Sequence, residues 1–170
     1  HWDCPLVPET RSAAEYFLPR LGPTLATLRA LGYSVAAHNH PRWGARLTRQ
    51  WRDLGVPVID RLDDVFASAA VMVADNTSAM YEFAALDRPV VAMNGPWYRR
   101  DVEHGLRFWS DVPGPQVDDP AALADVITTA HSDGHLIADQ RRAVVARVYA
   151  HVDGGSAQRA ASAVVRMLDR

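Results

Sequence analysis

Residues 71–93 read VMVADNTSAMYEFAALDRPVVAM and carry the most informative pattern in the chain. The apolar runs at 71–74 and 90–93 have the length and composition of buried strands. Between them, residues 79–86 carry apolar side chains at helical spacing, and Asp87-Arg88-Pro89 is typical of a turn. The order of strand, polar loop, helix, turn and strand predicts a βαβ unit, whose two strands lie parallel.

The same alternation continues on both sides of this unit. We expect further strands at 33–37, 56–59 and 116–117. Helices are predicted at 12–31 (with an irregular start before Pro23), 46–54, 61–68, 120–130, 136–149 and 156–168. Such short units predict an α/β fold, a Rossmann-like parallel sheet flanked by helices on both faces. We expect residues 1–170 to form one domain, cut from a larger two-domain protein because the chain begins at His1.

Composition excludes several classes of protein. The chain has 170 residues, 48% of them hydrophobic, and a net charge of −2, so it lacks the basic surface of a nucleic-acid-binding protein. All 18 basic residues are arginine, which excludes Schiff-base and P-loop lysine mechanisms. The single cysteine, Cys4, forms no internal disulfide and fits a reducing cytoplasm. No apolar run has the length of a membrane span, and no dinucleotide, Walker or nucleophile-elbow motif is present.

Three polar clusters follow predicted strands, at 38–41 (HNHP), 75–78 (DNTS) and 94–101 (NGPWYRRD). Ligands of an open parallel sheet bind outside the carboxyl ends of its strands. If the three strands are neighbours, the clusters face one crevice. The whole stretch 94–114 is aperiodic, polar and aromatic, which is typical of a functional loop.

The cluster of Asp75, Asn76, Thr77 and Ser78 precedes a predicted helix. The free N–H groups of a helix start, together with two hydroxyls, suit a phosphate or diphosphate. The same residue types are also good helix caps, and capping is the commoner role. Glu82 lies one turn beyond Ser78 on the same helix face, where its carboxylate could bind a ribose. Its alternative role is an exposed ion-pairing residue.

His40 is the candidate catalytic residue. It precedes Pro41, so its backbone is extended and its ring can project into the crevice. There it could bind a phosphate oxygen or act as the acid that protonates a leaving phosphate, unless it is an ordinary loop histidine. His38 and His40 have the spacing of a metal-binding pair, but no third ligand stands at a specific spacing, and we expect no metal.

The loop that begins at Asn94 supplies the remaining candidates. Guanidinium groups such as those of Arg99 and Arg107 can bind a phosphate, and the aromatic rings around them can stack on a base. We expect Asn94, Arg99 and Arg107 to contact substrate. The alternative is a covering loop that packs its own aromatic side chains.

Together these segments resemble the C-terminal half of the CDP-glycerol glycerophosphotransferase family of teichoic acid biosynthesis. His40-Pro41 matches the family's His-Pro after a strand. Residues 62–90 look like its signature of a strand, Asp-x-Ser-Ser, a helix and Leu-Asp-x-Pro-Val. Residues 105–108 and 153–159 resemble, less closely, its Arg-Gly-Phe segment and the lead into its last helix. The same layout occurs in GT-B glycosyltransferases and UDP-sugar 2-epimerases.

The resemblance implies a CDP-alcohol held between two Rossmann-like domains of a GT-B fold, mostly by the C-terminal one. The resemblance implies that His40, Thr77 and Ser78 bind the diphosphate. It also implies that Asp75 positions the loop and that Glu82, where the family commonly has Asp, binds the ribose. The implied reaction is attack of an acceptor hydroxyl on the β-phosphate of CDP-glycerol, with CMP leaving. Since the family's general base comes from the N-terminal domain, we expect the full protein to be a transferase and this chain alone to bind nucleotide without turnover.

Two alternatives stay open: the donor-binding half of a UDP-sugar glycosyltransferase or 2-epimerase-like protein, and a non-catalytic Rossmann-like binding module. The expected partners are CDP-glycerol or a related nucleotide donor and the N-terminal domain of the same protein. We expect no cofactor and no nucleic acid. Because teichoic-acid-like acceptors are lipid-linked, the resemblance implies a cytoplasmic protein that associates peripherally with the inner face of the membrane through its parent.

Overall fold

The computed structural model describes residues 7–8, 11–40, 44–75, 77–101 and 111–168. Within these ranges the strands are β1 (Met72–Ala74), β2 (Val90–Met93) and β3 (Gln116–Val117). The helices are α1 (Ala14–Phe17), α2 (Leu21–Ala30), α3 (Gly44–Asp53), α4 (Leu62–Ser68), α5 (Ala79–Ala84), α6 (Leu123–His131), α7 (His135–Val148) and α8 (Ser156–Leu168). Short 3-10 turns, Leu18–Arg20 and Pro120–Ala122, lead into α2 and α6.

The three strands form a parallel sheet in the order β1-β2-β3. Ala74 of β1 pairs with Ala92 of β2, and Met93 of β2 pairs with Val117 of β3. Because α5 connects β1 to β2, the predicted βαβ unit is confirmed. The register places the carboxyl ends of all three strands at one edge.

Helices cover both faces of the sheet. Successive residues of a strand face opposite sides. Val91 packs in a core cluster with side chains of α2 and α6, whereas Val90 and Ala92 pack with Met80 and Phe83 of α5 in a second cluster. These three of the four β2 residues are fully buried. The predicted α/β fold, a parallel sheet with helices on both faces, is therefore confirmed.

Two predicted strands, at 33–37 and 56–59, are wrong. The two segments meet at a single parallel bridge, in which Ala37 N–H donates to Pro57 O at 2.9 Å and Ile59 N–H donates to Ala37 O at 2.8 Å. Extending this ladder backward would require an N–H from Pro57, which proline lacks. The other predicted elements agree with the observed ones to within about two residues, the usual uncertainty of element ends.

Helix α8 differs from the rest of the fold because none of its residues is buried. Its apolar side chains Val164, Val165, Met167 and Leu168 are 55%, 56%, 75% and 79% exposed. In the part of the chain that the structure describes, no helix combines the length and the apolar character needed to span a membrane.

Candidate functional site

Two of the predicted polar clusters lie at the same edge of the sheet. Ala74 and Ala92 are paired, so Asp75, directly after β1, and Asn94, directly after β2, follow neighbouring strand ends. The hydroxyl of Tyr98 lies 2.9 Å from Asp75 Oδ1 and so joins the second cluster to the third. Two sequence candidates, Asn76 and Arg107, fall outside the described residues, and so does Pro41 of the His-Pro motif.

Asp75 is half-buried and holds the segments around it. Its Oδ2 accepts a hydrogen bond from Ser12 Oγ at 2.5 Å, and its Oδ1 accepts one from Ala13 N–H at 3.0 Å, in addition to the contact with Tyr98. The carboxylate therefore ties the start of α1 and the loop after β2 to the end of β1. Sequence reasoning missed Ser12 because it lies 63 residues away along the chain.

The two hydroxyls before α5 have different environments. Thr77 Oγ1 accepts a hydrogen bond from Ala79 N–H at 3.3 Å, so it caps the helix start. Ser78 occupies the N-cap position, but its side chain makes no capping hydrogen bond and is exposed. The capping role thus belongs to Thr77, and the Ser78 hydroxyl faces solvent.

Asn94 lies beneath this edge rather than on it, since the residue is only 2% exposed. Its amide nitrogen donates to Gln116 Oε1 at 3.2 Å and to Asp118 Oδ1 at 2.7 Å, which joins the ends of β2 and β3. Its Oδ1 is buried without a hydrogen-bond partner. Arg100 also forms an ion pair with Asp118, so the positive charge of Arg100 is paired within the protein.

His40 is exposed and follows a segment held by side-chain hydrogen bonds. His38 Nδ1 donates to the carbonyl of Ile59 at 2.9 Å; because a carbonyl only accepts, Nδ1 carries the hydrogen. Asn39 Oδ1 accepts a hydrogen bond from Trp51 Nε1 of α3 at 3.0 Å. These contacts hold His38 and Asn39, the two residues directly before His40.

Beside Asp75 lies a charged cluster that the sequence analysis did not predict. Arg11 donates to Glu15 Oε2 from Nη2 at 2.7 Å and from Nε at 2.9 Å, and Arg46 Nη2 lies 3.5 Å from Glu15 Oε1. The guanidinium carbon of Arg11 stands 4.2 Å from the ring centroid of Trp97. Only the Arg11–Glu15 pair, four residues apart, is visible as a local pattern in the sequence.

A family model described as CDP-glycerol:poly(glycerophosphate) glycerophosphotransferase matches residues 25–166. The chain belongs to this glycerophosphotransferase family. No curated protein and no solved structure matches the chain. The predicted resemblance is thereby confirmed over most of the sequence, from α2 into α8, and the family uses CDP-glycerol as its donor. Arg11 and Glu15 precede the matched range.

The Leu-Asp-x-Pro-Val part of the glycerophosphotransferase signature has a structural role here. Asp87 adopts a left-handed backbone conformation, with φ of 55°, and turns the chain from α5 into β2. Its carboxylate accepts hydrogen bonds from Arg142 Nη2 at 2.8 Å and from Arg141 Nη2 at 2.9 Å. Hydrogen bonds from Arg142 and Arg141 lower the pKa of Asp87 from 3.8 to about 2.

The two remaining sequence candidates in this member of the glycerophosphotransferase family, Glu82 and Arg99, are both exposed. Burial raises the pKa of Tyr149, and the nearby negative charge of Glu82 raises it further, so Glu82 lies close to the end of α7. Among the described residues, no group of three or more histidine, cysteine or acidic side chains has an arrangement that could hold a metal ion.

Proposed function

We propose that this glycerophosphotransferase chain binds the nucleotide donor, CDP-glycerol, at the carboxyl edge of β1 and β2. The contact between Tyr98 and Asp75 carries the proposal, because it joins the loop after β2 to the loop after β1 at the edge where parallel sheets bind ligands. Family membership supports the choice of donor.

Exposed side chains of the polar clusters suit the parts of that donor. We assign the diphosphate to the Ser78 hydroxyl, the Arg99 guanidinium and the His40 imidazole, all of which are exposed. Glu82 takes the ribose. Thr77 and Asp75 shape the phosphate loop, and Asn94 supports it from inside by joining β2 to β3.

Asn76 and Arg107 belong to the same proposal on sequence grounds. Asn76 lies within the polar loop between β1 and α5, and Arg107 within the aromatic and cationic stretch that follows β2. A guanidinium group binds a phosphate through paired hydrogen bonds, and an amide can bind a phosphate or a hydroxyl.

The proposed reaction is transfer of glycerol phosphate to an acceptor hydroxyl. The acceptor hydroxyl gives its proton to a general base while its oxygen forms a bond to the β-phosphorus of CDP-glycerol, and the bond from that phosphorus to the CMP oxygen breaks. CMP leaves with the electron pair, and His40 supplies the proton that neutralises the leaving phosphate. The rest of the catalytic effect is positioning and charge stabilisation.

We propose that the chain works within a larger two-domain protein of GT-B type. Helix α8 supports this, because a helix of 13 residues with no buried residue gains little stability from packing, and most helices depend on packing. The partner domain would supply the general base, so the isolated chain binds the donor without turnover. Cytoplasmic location and peripheral membrane association through the parent protein belong to the same proposal.

Calorimetric titration of the 170-residue chain with CDP, CMP, UDP and GDP tests the proposal. We expect CDP to bind most tightly, and His40→Ala to weaken CDP binding. His135→Ala is the matched control, since His135 is also exposed but pairs with Asp139 on α7. A preference for UDP would favour the nucleotide-sugar alternative. Lack of binding to any nucleotide, by the chain and by its full-length parent, would contradict the proposal and favour a non-catalytic module.

A further inference from the structure

We propose that Arg11 binds a phosphate group at the edge of the sheet formed by the ends of β1 and β2. This inference rests on the proposed function and deepens it. The ligand chemistry is a phosphate oxyanion, which either the diphosphate of the donor or a phosphodiester of the acceptor chain supplies. Arg11 lies outside the residues matched by the family model, so the assignment comes from the structure of this chain.

The backbone of Arg11 is attached to this edge from both sides. Its carbonyl accepts a hydrogen bond from Trp97 Nε1 at 3.4 Å and lies 3.1 Å from the hydroxyl of Tyr98, which shares its single hydrogen with Asp75. The next residues along the chain, Ser12 and Ala13, donate to the carboxylate of Asp75. Arg11 is thereby held between the loops that follow β1 and β2.

The side chain of Arg11 is held as well. One face of the guanidinium lies against the Trp97 ring, and two of its nitrogens donate to Glu15. Trp97 in turn packs so closely on Gly95 that a Cβ there would lie 2.5 Å from the indole Cε2. The guanidinium group is already held by the ring and by two hydrogen bonds. It therefore loses little further conformational freedom when it binds an anion.

The charge balance of the cluster favours an anionic ligand. Glu15 is the shared partner of Arg11 and Arg46, so within this cluster one carboxylate faces two guanidinium groups. The neighbouring carboxylate of Asp75 instead accepts hydrogen bonds from Ser12 and Ala13. The two arginine side chains are 47% and 64% exposed, and a phosphate can therefore reach them. Guanidinium groups bind phosphate through paired, charge-assisted hydrogen bonds. An ordinary surface ion pair would need neither the ring nor the close packing on Gly95.

The inference is tested with two variants, Arg11→Gln and Glu15→Gln, which should change the affinity for the phosphate ligand in opposite directions. The 170-residue chain is titrated with CDP and, separately, with a short glycerophosphate oligomer. Arg11→Gln should weaken binding of the phosphate ligand about tenfold, as expected for loss of a charged hydrogen bond. Glu15→Gln should tighten it about threefold, because the competing carboxylate is removed. Arg20→Gln is the matched control, since Arg20 also stacks on an aromatic ring, that of Tyr16 at 4.5 Å.

The results separate the two phosphate sources and the two proposals. An effect on CDP alone assigns Arg11 to the donor diphosphate, and an effect on the oligomer alone assigns it to the acceptor. A purely structural role predicts that Arg11→Gln and Glu15→Gln weaken binding together, since both break one ion pair, and that result would overturn the inference. Unchanged binding of both ligands to Arg11→Gln would also overturn it, while CDP binding by the unmodified chain would leave the proposed function standing. If the unmodified chain binds neither ligand, the proposed function fails and the inference fails with it.

Discussion

Arg141 Nη2 lies 2.9 Å from Asp87 Oδ1, which joins the middle of α7 to the turn that begins β2. The side chain of Arg141 is fully buried, and its other edge contacts Asp133, with Nη1 2.5 Å from Oδ1. Both aspartates adopt positive φ angles, of 55° and 47°. The buried guanidinium therefore holds together two tight turns, one of which sets the position of the central strand.

Arg141→Ala should lower the free energy of unfolding by about 3 kcal/mol, because it removes a buried, fully paired side chain and leaves space behind. Arg142→Ala is the control, since Arg142 pairs with the same Asp87 carboxylate but is exposed. Its effect should be much smaller. Urea unfolding of the two variants measures the difference, and equal losses would show that burial of the Arg141 side chain is not the source of the stabilisation.

The same network predicts a loss of stability in acid. The pKa of Asp87 falls from 3.8 to about 2 on folding, and hydrogen bonding from Arg141 also lowers the pKa of Asp133. A carboxyl with a lowered pKa in the folded state stabilises it above its unfolded pKa, and this contribution disappears as the pH falls. The stabilisation should therefore be complete above pH 3.8 and be lost as the pH falls through about 2.

Urea midpoints measured at several pH values, from about 6 down to about 2.5, check this expectation. The difference in unfolding free energy between the unmodified chain and Arg141→Ala should shrink toward the acid end of that range. A difference that stays constant with pH would mean that pairing of the two aspartates with Arg141 contributes no pH-dependent stability.

Gly114→Ala should destabilise the sheet severely. A Cβ at Gly114 would lie 1.9 Å from the carbonyl oxygen of Val90, and a backbone atom within the central strand cannot move aside without breaking the ladder. We expect a loss of more than about 2 kcal/mol in urea unfolding, or failure to fold. Gly22→Ala is the matched control: it lies in α2 with no atom within 4 Å of its Cβ, and alanine there should be neutral or slightly stabilising.

Removal of the two hydroxyls before α5 should have different effects, one on the free energy of unfolding and the other on CDP binding. Thr77→Ala removes the acceptor of the Ala79 N–H and should cost about 1 kcal/mol of unfolding free energy. Ser78→Ala removes an exposed hydroxyl that makes no capping bond, so stability should hardly change while CDP binding weakens. Thermal unfolding and calorimetric titration of both variants provide the check. CDP binding unaffected by Ser78→Ala would remove Ser78 from the proposed site.

Local patterns predicted a large part of this structure. The apolar run of β2 and the helical spacing of α5 were enough to predict the βαβ unit, and the parallel strands then brought the segments after Ala74 and Met93 to one edge. The predicted strand at 33–37 failed because strand formation depends on the partner, and Pro57 cannot supply the N–H that a longer ladder needs. Arg11 was missed because its partner Trp97 stands 86 residues away.

Periodicity and short motifs act over a few residues, so they were enough to predict the order of the helices and of β1, β2 and β3, the parallel sheet and the family. They also predicted two strands that do not form. The partners of the polar residues, in contrast, depend on the packing of distant segments. Asp75 and Asp87 accept hydrogen bonds from distant parts of the chain, because packing brings Ser12 and Arg141 to them. Ser78 stayed exposed at the edge, where a ligand can reach its hydroxyl. A hydrogen-bonding group pairs with the partner that folding brings within about 3 Å. When that partner lies far away along the chain, the sequence pattern around either residue does not identify it.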